Sequence, residues 1–375
     1  MYEEILLGFI KMFASPQMLI LLMVSVVFYV EETKEASLRK LVLGDGESSP
    51  LVFTFYRLMW GILGGALISI LAGVFHIGFY AYLEVQIIFM LTVFALSRFS
   101  RYVNLGIHIV GVFLLKYLLQ ENLLSSLDLI HMYLLVGISL MVQGLLILLE
   151  GEKGYLPVIL SRDQEIRGGF QVKKSFMLPG VLGFYATAGT ILGRALFFLP
   201  LFQFFSLRET VMTFSKKQSL QVFSGLKILV GSLVLLSAYV VSFFMEWTYL
   251  LLPLVPMILF LEKGVYRLLE RRRKPYFIST EEEIVVLEVH TKSKAYEEGL
   301  RSGDRLVEVD GRKPTYKSVV AFLGTLSYER PVSLKARGED GQAKELSFLI
   351  KPGTSTGILV VPPSGEFFKM KAESS

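Results

Sequence analysis

Apolar residues run in long unbroken blocks through the first two thirds of the chain and then give way to short alternating stretches. A bilayer core about 30 Å thick needs roughly 20 apolar residues per helix, fewer where neighbouring helices shield the ends. On that measure residues 18–30, 58–80, 85–97, 105–119, 129–149, 228–245 and 247–261 are predicted spans. Residues 176–205 differ, because Pro179, Gly189, Gly193, Arg194 and Pro200 interrupt the block. That punctuation predicts a tight hairpin or a re-entrant pair in place of one straight helix. The pattern as a whole predicts a polytopic α-helical membrane domain of about 7 to 8 spans over residues 1–265. A basic juxtamembrane linker (266–275), a small α+β domain (276–364) and a flexible tail (365–375) follow.

Within the polar third, residues 284–289 read as a strongly apolar β-strand, and KAYEEGL as a short helix closed by Gly299, a natural left-handed cap. Residues 305–309 form the next predicted strand, and Asp310-Gly311 a tight turn. Thr315 is placed to cap a helix whose apolar positions Tyr316, Val319, Val320 and Leu323 repeat with helical spacing. Two alternating strands, 332–336 and 346–350, are joined through RGEDGQ. TGILVVPP supplies one more strand, stopped by Pro362 and Pro363.

Composition sharpens the contrast between the two parts. The 375 residues are 53% apolar and only 19% charged, with a mean hydropathy of +0.55, too oily for an ordinary soluble globule. From Tyr276 onward acidic and basic residues nearly balance, so the net charge of +5 arises in the apolar part. It therefore reports membrane orientation, and nucleic acid is not an expected partner. The polar segments 31–57, 98–101, 150–174, 208–227 and 263–274 carry most of the Lys and Arg of that part, which assigns them to the cytoplasm. The other connectors are acidic and face out, and the scheme closes only if 176–205 returns to the side it left. RLLERRRK, 267–274, places the tail in the cytoplasm. MYEE opens acidic and no small-residue cleavage site follows the apolar run, so no cleavable signal is expected.

Few residues offer chemistry. With no cysteine there is no disulfide, thiolate zinc site or cysteine nucleophile. None of His76, His108, His131 or His290 begins HExxH, and neither GxSxG nor GxxxxGK[ST] occurs. Gly44 and Asp45 lie in LGDGESSP, a polar turn-rich loop, with no second intramembrane Asp as partner. The expectation is a protein that is not an enzyme and uses no cofactor or metal. Gly61, Gly65, Ser69 and Gly73 put small residues on one helix face, suited to internal packing or to a contact between copies. Lys11, Lys116 and Arg194 fall in or beside apolar blocks and are functional candidates by default. Lys116 lies near its helix end, where it can snorkel, and Arg194 sits at the apex of the predicted hairpin.

The run SKAYEEGLRSGDRLVEVDG resembles the "SPA..AGL..GD.I..VNG" signature of bacterial PDZ domains, with Lys294 in place of Pro and Glu298 in place of Ala. Gly299, Leu300, Gly303, Asp304 and Gly311 fall where that pattern has them, and the resemblance covers only the tail. It implies peptide capture by β-augmentation, with backbone N–H groups holding a terminal carboxylate. The segment PYFIS, 275–279, lacks the glycine of the family's carboxylate loop, whereas TSTGILVV has one. A permuted arrangement then makes Thr356, Gly357 and Ile358 the loop, with Leu359 and Val360 lining a groove opposite Tyr316, Val319, Val320 and Leu323. The other reading of GILVV is a strand that only closes the core.

Several spans, a basic junction and one such tail together resemble the MinJ-type family of cell-division topological determinants. The resemblance implies a scaffold at septa and poles of the bacterial cytoplasmic membrane, with DivIVA, MinD and divisome proteins as partners. An accessory that delivers substrates to a membrane protease is the alternative, and a transporter with a regulatory tail ranks behind both.

Overall fold

A computed structural model describes residues 2–13, 18–43, 49–96, 104–162, 165–185, 196–316, 319, 329–338, 341–350 and 356–364. Its first part holds helices α1 (Tyr2–Phe13), α2 (Met18–Leu43), α3 (Pro50–Val74), α4 (Tyr82–Leu91), α5 (Leu105–Leu118), α6 (Ser126–Glu150), α7 (Lys216–Ser242) and α8 (Leu251–Arg272). Among the described residues, four helical stretches are long and apolar enough to cross a membrane: Pro50–Val74, Ser126–Glu150, Lys216–Ser242 and Met245–Arg272. A fifth arises if the bent pair Leu6–Phe13 and Met18–Lys40 is one span. This corrects the expected seven to eight. The blocks at 85–97 and 105–119 are apolar, but α5 has only 14 residues, about 21 Å of helix, and α4 is shorter still.

The second correction concerns 176–205. The chain does turn back, but as two strands: β3 (Glu165–Tyr185) pairs antiparallel with β4 (Leu196–Val211), with Phe176 opposite Phe205. Phe170 lies opposite Val211, so the chain returns to the end it left. Strand β2 (Tyr155–Arg162) pairs with the first part of β3, and β1 (Gly78–Phe79) with its last residues.

Between those two pairings one edge of β3 is bare, and α3 covers it. A Cβ on Gly61 would stand 2.2 Å from the Met177 carbonyl oxygen, and one on Gly65 1.9 Å from that of Pro179. Only glycine lets the helix approach so closely. Ser69 Oγ donates to the Gly65 carbonyl and accepts the Val181 N–H at 2.7 Å. Pro179 has no N–H, so this edge has one donor fewer to satisfy. A buried sheet edge is thus paired off inside protein, the condition for non-helical backbone away from water. Internal packing, one of the two readings of the small-residue face, accounts for Gly61, Gly65 and Ser69.

The polar third is a five-stranded antiparallel sheet in the order β8-β7-β6-β5-β9. Its strands are β5 (Ile284–Val289), β6 (Arg305–Val309), β7 (Arg330–Arg337), β8 (Ala343–Ile350) and β9 (Ile358–Val360), with the short helix α9 (Lys294–Glu297) after β5. Ile284, Val286, Leu300, Leu306, Val332 and Leu346 share its core. The basic residues up to Arg272, expected as a linker, are the last turns of α8.

Candidate functional site

The signature residues of the tail shape turns. Ser293 caps α9 by accepting the Tyr296 N–H, and Gly299 ends that helix at φ +105°, with Leu300 N–H donating to Ala295. Gly303, at φ +94°, donates to the Val286 carbonyl. The buried Asp304 carboxylate accepts the Arg301 N–H at 2.9 Å and Lys344 Nζ at 2.8 Å, tying this turn to β8. Asp310 and Gly311 both have positive φ, the geometry of a two-residue hairpin turn. The Asp310 carboxylate accepts the Ser333 N–H at 3.0 Å and pairs with Arg330.

The strand at the end of the sheet is β9. The Gly357 carbonyl accepts from His290 N–H and the Val361 N–H donates to Val285, so those groups face β5. Alternation along a strand then leaves the N–H and C=O of Ile358 and Val360 on the outer edge. Gly357 enters β9 at φ +67°, and a Cβ there would meet His290 Cβ at 2.8 Å and Ser293 Cβ at 3.1 Å. Thr356 beside it is buried. This loop and edge are continuous in the chain, and their residues are buried apart from the half-buried Leu359.

Side chains of β9 go to two faces. Ile358 and Val360 point into the tail core together with Val319, against which Tyr316 packs. Leu359 turns to the opposite face and packs on the core of the helical part. Val320 and Leu323 lie outside the described residues.

Docking of the tail was not foreseen. Val285, Leu287, Phe277 and Val361 belong to the same core as α6 and β3. Gly168 N–H donates to the Phe277 carbonyl at 2.9 Å, and Tyr276 N–H to Met212 at 2.8 Å. Ile166 N–H reaches Ser364 Oγ, and Lys216 pairs with Glu288. A side chain on Gly168 would meet Val361 at 2.5 Å. The start of β3, Met212 after β4 and Lys216 of α7 thus hold the tail, and α2 contacts β9.

The helical part carries more buried charge than its blocks suggested. Arg57 pairs with Glu32 at 2.7 Å, Lys173 with Glu35 at 2.8 Å and Arg208 with Glu31 at 3.2 Å. Lys174, fully buried, reaches Glu150 at 2.9 Å and the Gly151 carbonyl at 2.7 Å. These residues lie in segments that read as polar loops. The available signal was that Glu31 and Glu35 share one helix face if the helix after residue 30 continues. Lys116, expected to snorkel, pairs with Glu84 and Glu121 at the far end. Lys11 is exposed, and Arg194, Gly44 and Asp45 lie outside the described residues. His131 lies against Gly78 with Nδ1 at 2.6 Å from its carbonyl oxygen. Among the described residues no cluster of His, Cys, Asp or Glu has the arrangement to hold a metal ion.

No protein-family model matches this chain, and no curated protein matches its sequence.

Proposed function

We propose that this protein is a non-enzymatic membrane scaffold that recruits partner proteins by strand addition to its tail, in the manner of a PDZ domain. One observation carries the reading: β9 ends the sheet and is preceded by the positive-φ turn at Gly357. Such an edge directs alternate backbone donors and acceptors away from β5, the geometry that strand addition by a partner uses. The basic loops orient the tail toward the cytoplasm. A role in spatial control of cell division, with DivIVA, MinD and divisome proteins as partners at septa and poles, is the specific form suggested by the resemblance to the MinJ-type family.

A fluorescent fusion of the full chain tests the role: accumulation at septa and poles is expected. Uniform membrane signal, together with normal septum placement in a deletion strain, would sink it. Accumulation of membrane-protease substrates in that strain would move the tail to the protease-adaptor role. At the site, Gly357→Ala forces a Cβ into left-handed backbone and against His290, a cost of about 1–2 kcal/mol. Partners co-purifying from native membranes are expected to drop while the chain stays membrane-bound; unchanged co-purification removes the loop from the site.

A further inference from the structure

We infer that a cleft in the helical part binds the phosphate-bearing headgroup of an anionic lipid; this rests on the reading of that part as membrane-spanning. The cleft opens between the start of α5, strand β4 and helices α7 and α8, with a cavity volume of about 80 Å³. Arg208, Lys227, Lys263 and Arg267 line it against Glu209 and Glu262, and with Glu31 on Arg208 the excess is one positive charge (four minus three). Lys227 pairs with Glu262 at 3.0 Å and Arg208 reaches Glu31 at 3.2 Å, which fixes two of the cations in the wall. Arg267 stands exposed at the surface. Buried Gln143 and Gln203 line the interior, Gln203 held by Ser139 Oγ at 2.9 Å.

The order of chemistry along the cleft matches a lipid. Its basic residues lie toward the end of α8 that carries Arg271 and Arg272, the end at which the tail docks. Away from that end the flanking helix surfaces are apolar and exposed, at Leu229 and Leu233 of α7 and at Met257, Phe260 and Leu261 of α8. A headgroup phosphate in the basic cleft therefore lets its acyl chains lie along these surfaces. Basic pockets between membrane helices on the cytoplasmic side are suited to anionic headgroups in this way. Asn104 caps α5 at the cleft wall, so the positive end of that 14-residue helix adds to the attraction for an anion.

The test uses the full chain in detergent, with phosphatidylglycerol, phosphatidylcholine or inorganic phosphate added. Phosphatidylglycerol is expected to remain bound in native mass spectra and to raise the unfolding temperature, with neither effect from the other two. Lys263→Gln combined with Arg267→Gln is expected to weaken that binding about tenfold or more. Arg312→Gln, exposed on the tail, serves as the control and should leave it unchanged. Equal protection by phosphatidylcholine, or an unaffected double variant, overturns the proposal. Equal protection by inorganic phosphate also overturns it, since the site then serves a soluble anion. Retention of the chain in carbonate-washed membranes is scored separately, so failure of the membrane reading is distinguishable from failure of the lipid site.

Discussion

Lys174 is fully buried, yet nothing in its setting, QVKKSF, separates it from the half-buried Lys173 beside it. Alternation along β3 sends neighbouring side chains to opposite faces, so one lysine meets Glu35 of α2 and the other Glu150 at the end of α6. Removing one member of a buried pair leaves the other charged and unpartnered. Lys174→Met is therefore expected to cost about 3–5 kcal/mol of stability, and adding Glu150→Leu to recover most of it. Unfolding in detergent measures both; a double variant no more stable than the single one would mean that Glu150 is not stranded by the loss of Lys174. At this scale the sequence identified the turn glycines of the tail, because positive φ is a local demand. It did not identify the buried charges, because burial depends on which distant segment arrives.

Elements show the same division. The four-residue spacing on α3 was visible and points to a close neighbour, but the neighbour proved to be a strand. Residues of β3 from Phe176 to Phe184 are almost all buried on both faces. A strand covered on both sides shows a continuous apolar run, which periodicity cannot distinguish from a helical span. Gly65→Ala is expected to prevent normal accumulation in membranes, because its Cβ meets backbone that no rotamer change can move. Gly111 of α5 has no atom within 4 Å of its Cβ position, so Gly111→Ala should stabilise by about 0.5–1 kcal/mol through helix propensity. Equal yields of the two variants would refute the packing of α3 on β3.

For the whole molecule, the docked tail matters most. A tail held to β3 and Met212 by backbone hydrogen bonds from residues 276–277, and to the helical part by a shared core, moves with that part, so events at β9 are felt next to α2. Lys216→Glu opposes Glu288 across this contact and is expected to expose residues 273–283 to protease roughly tenfold more, the equivalent of about 1.4 kcal/mol. Adding Glu288→Lys should restore protection. Unchanged cleavage in the single variant would show that the ion pair does not hold the tail.

The sequence alone established an apolar helical part, a polar strand-rich tail, the order of the tail strands and the turns between them. These follow from local rules, namely the length of apolar runs, their period, and the backbone conformations that glycine, proline and aspartate favour. Tertiary structure decided the number of long helices, the strand character of the 176–205 hairpin, the orientation of Leu359 and the docking of the tail. Each depends on contacts between residues far apart in the chain, such as Ser69 with Val181 and Gly168 with Phe277. An apolar residue records that it will be buried, and the partner that buries it is chosen only when the chain packs.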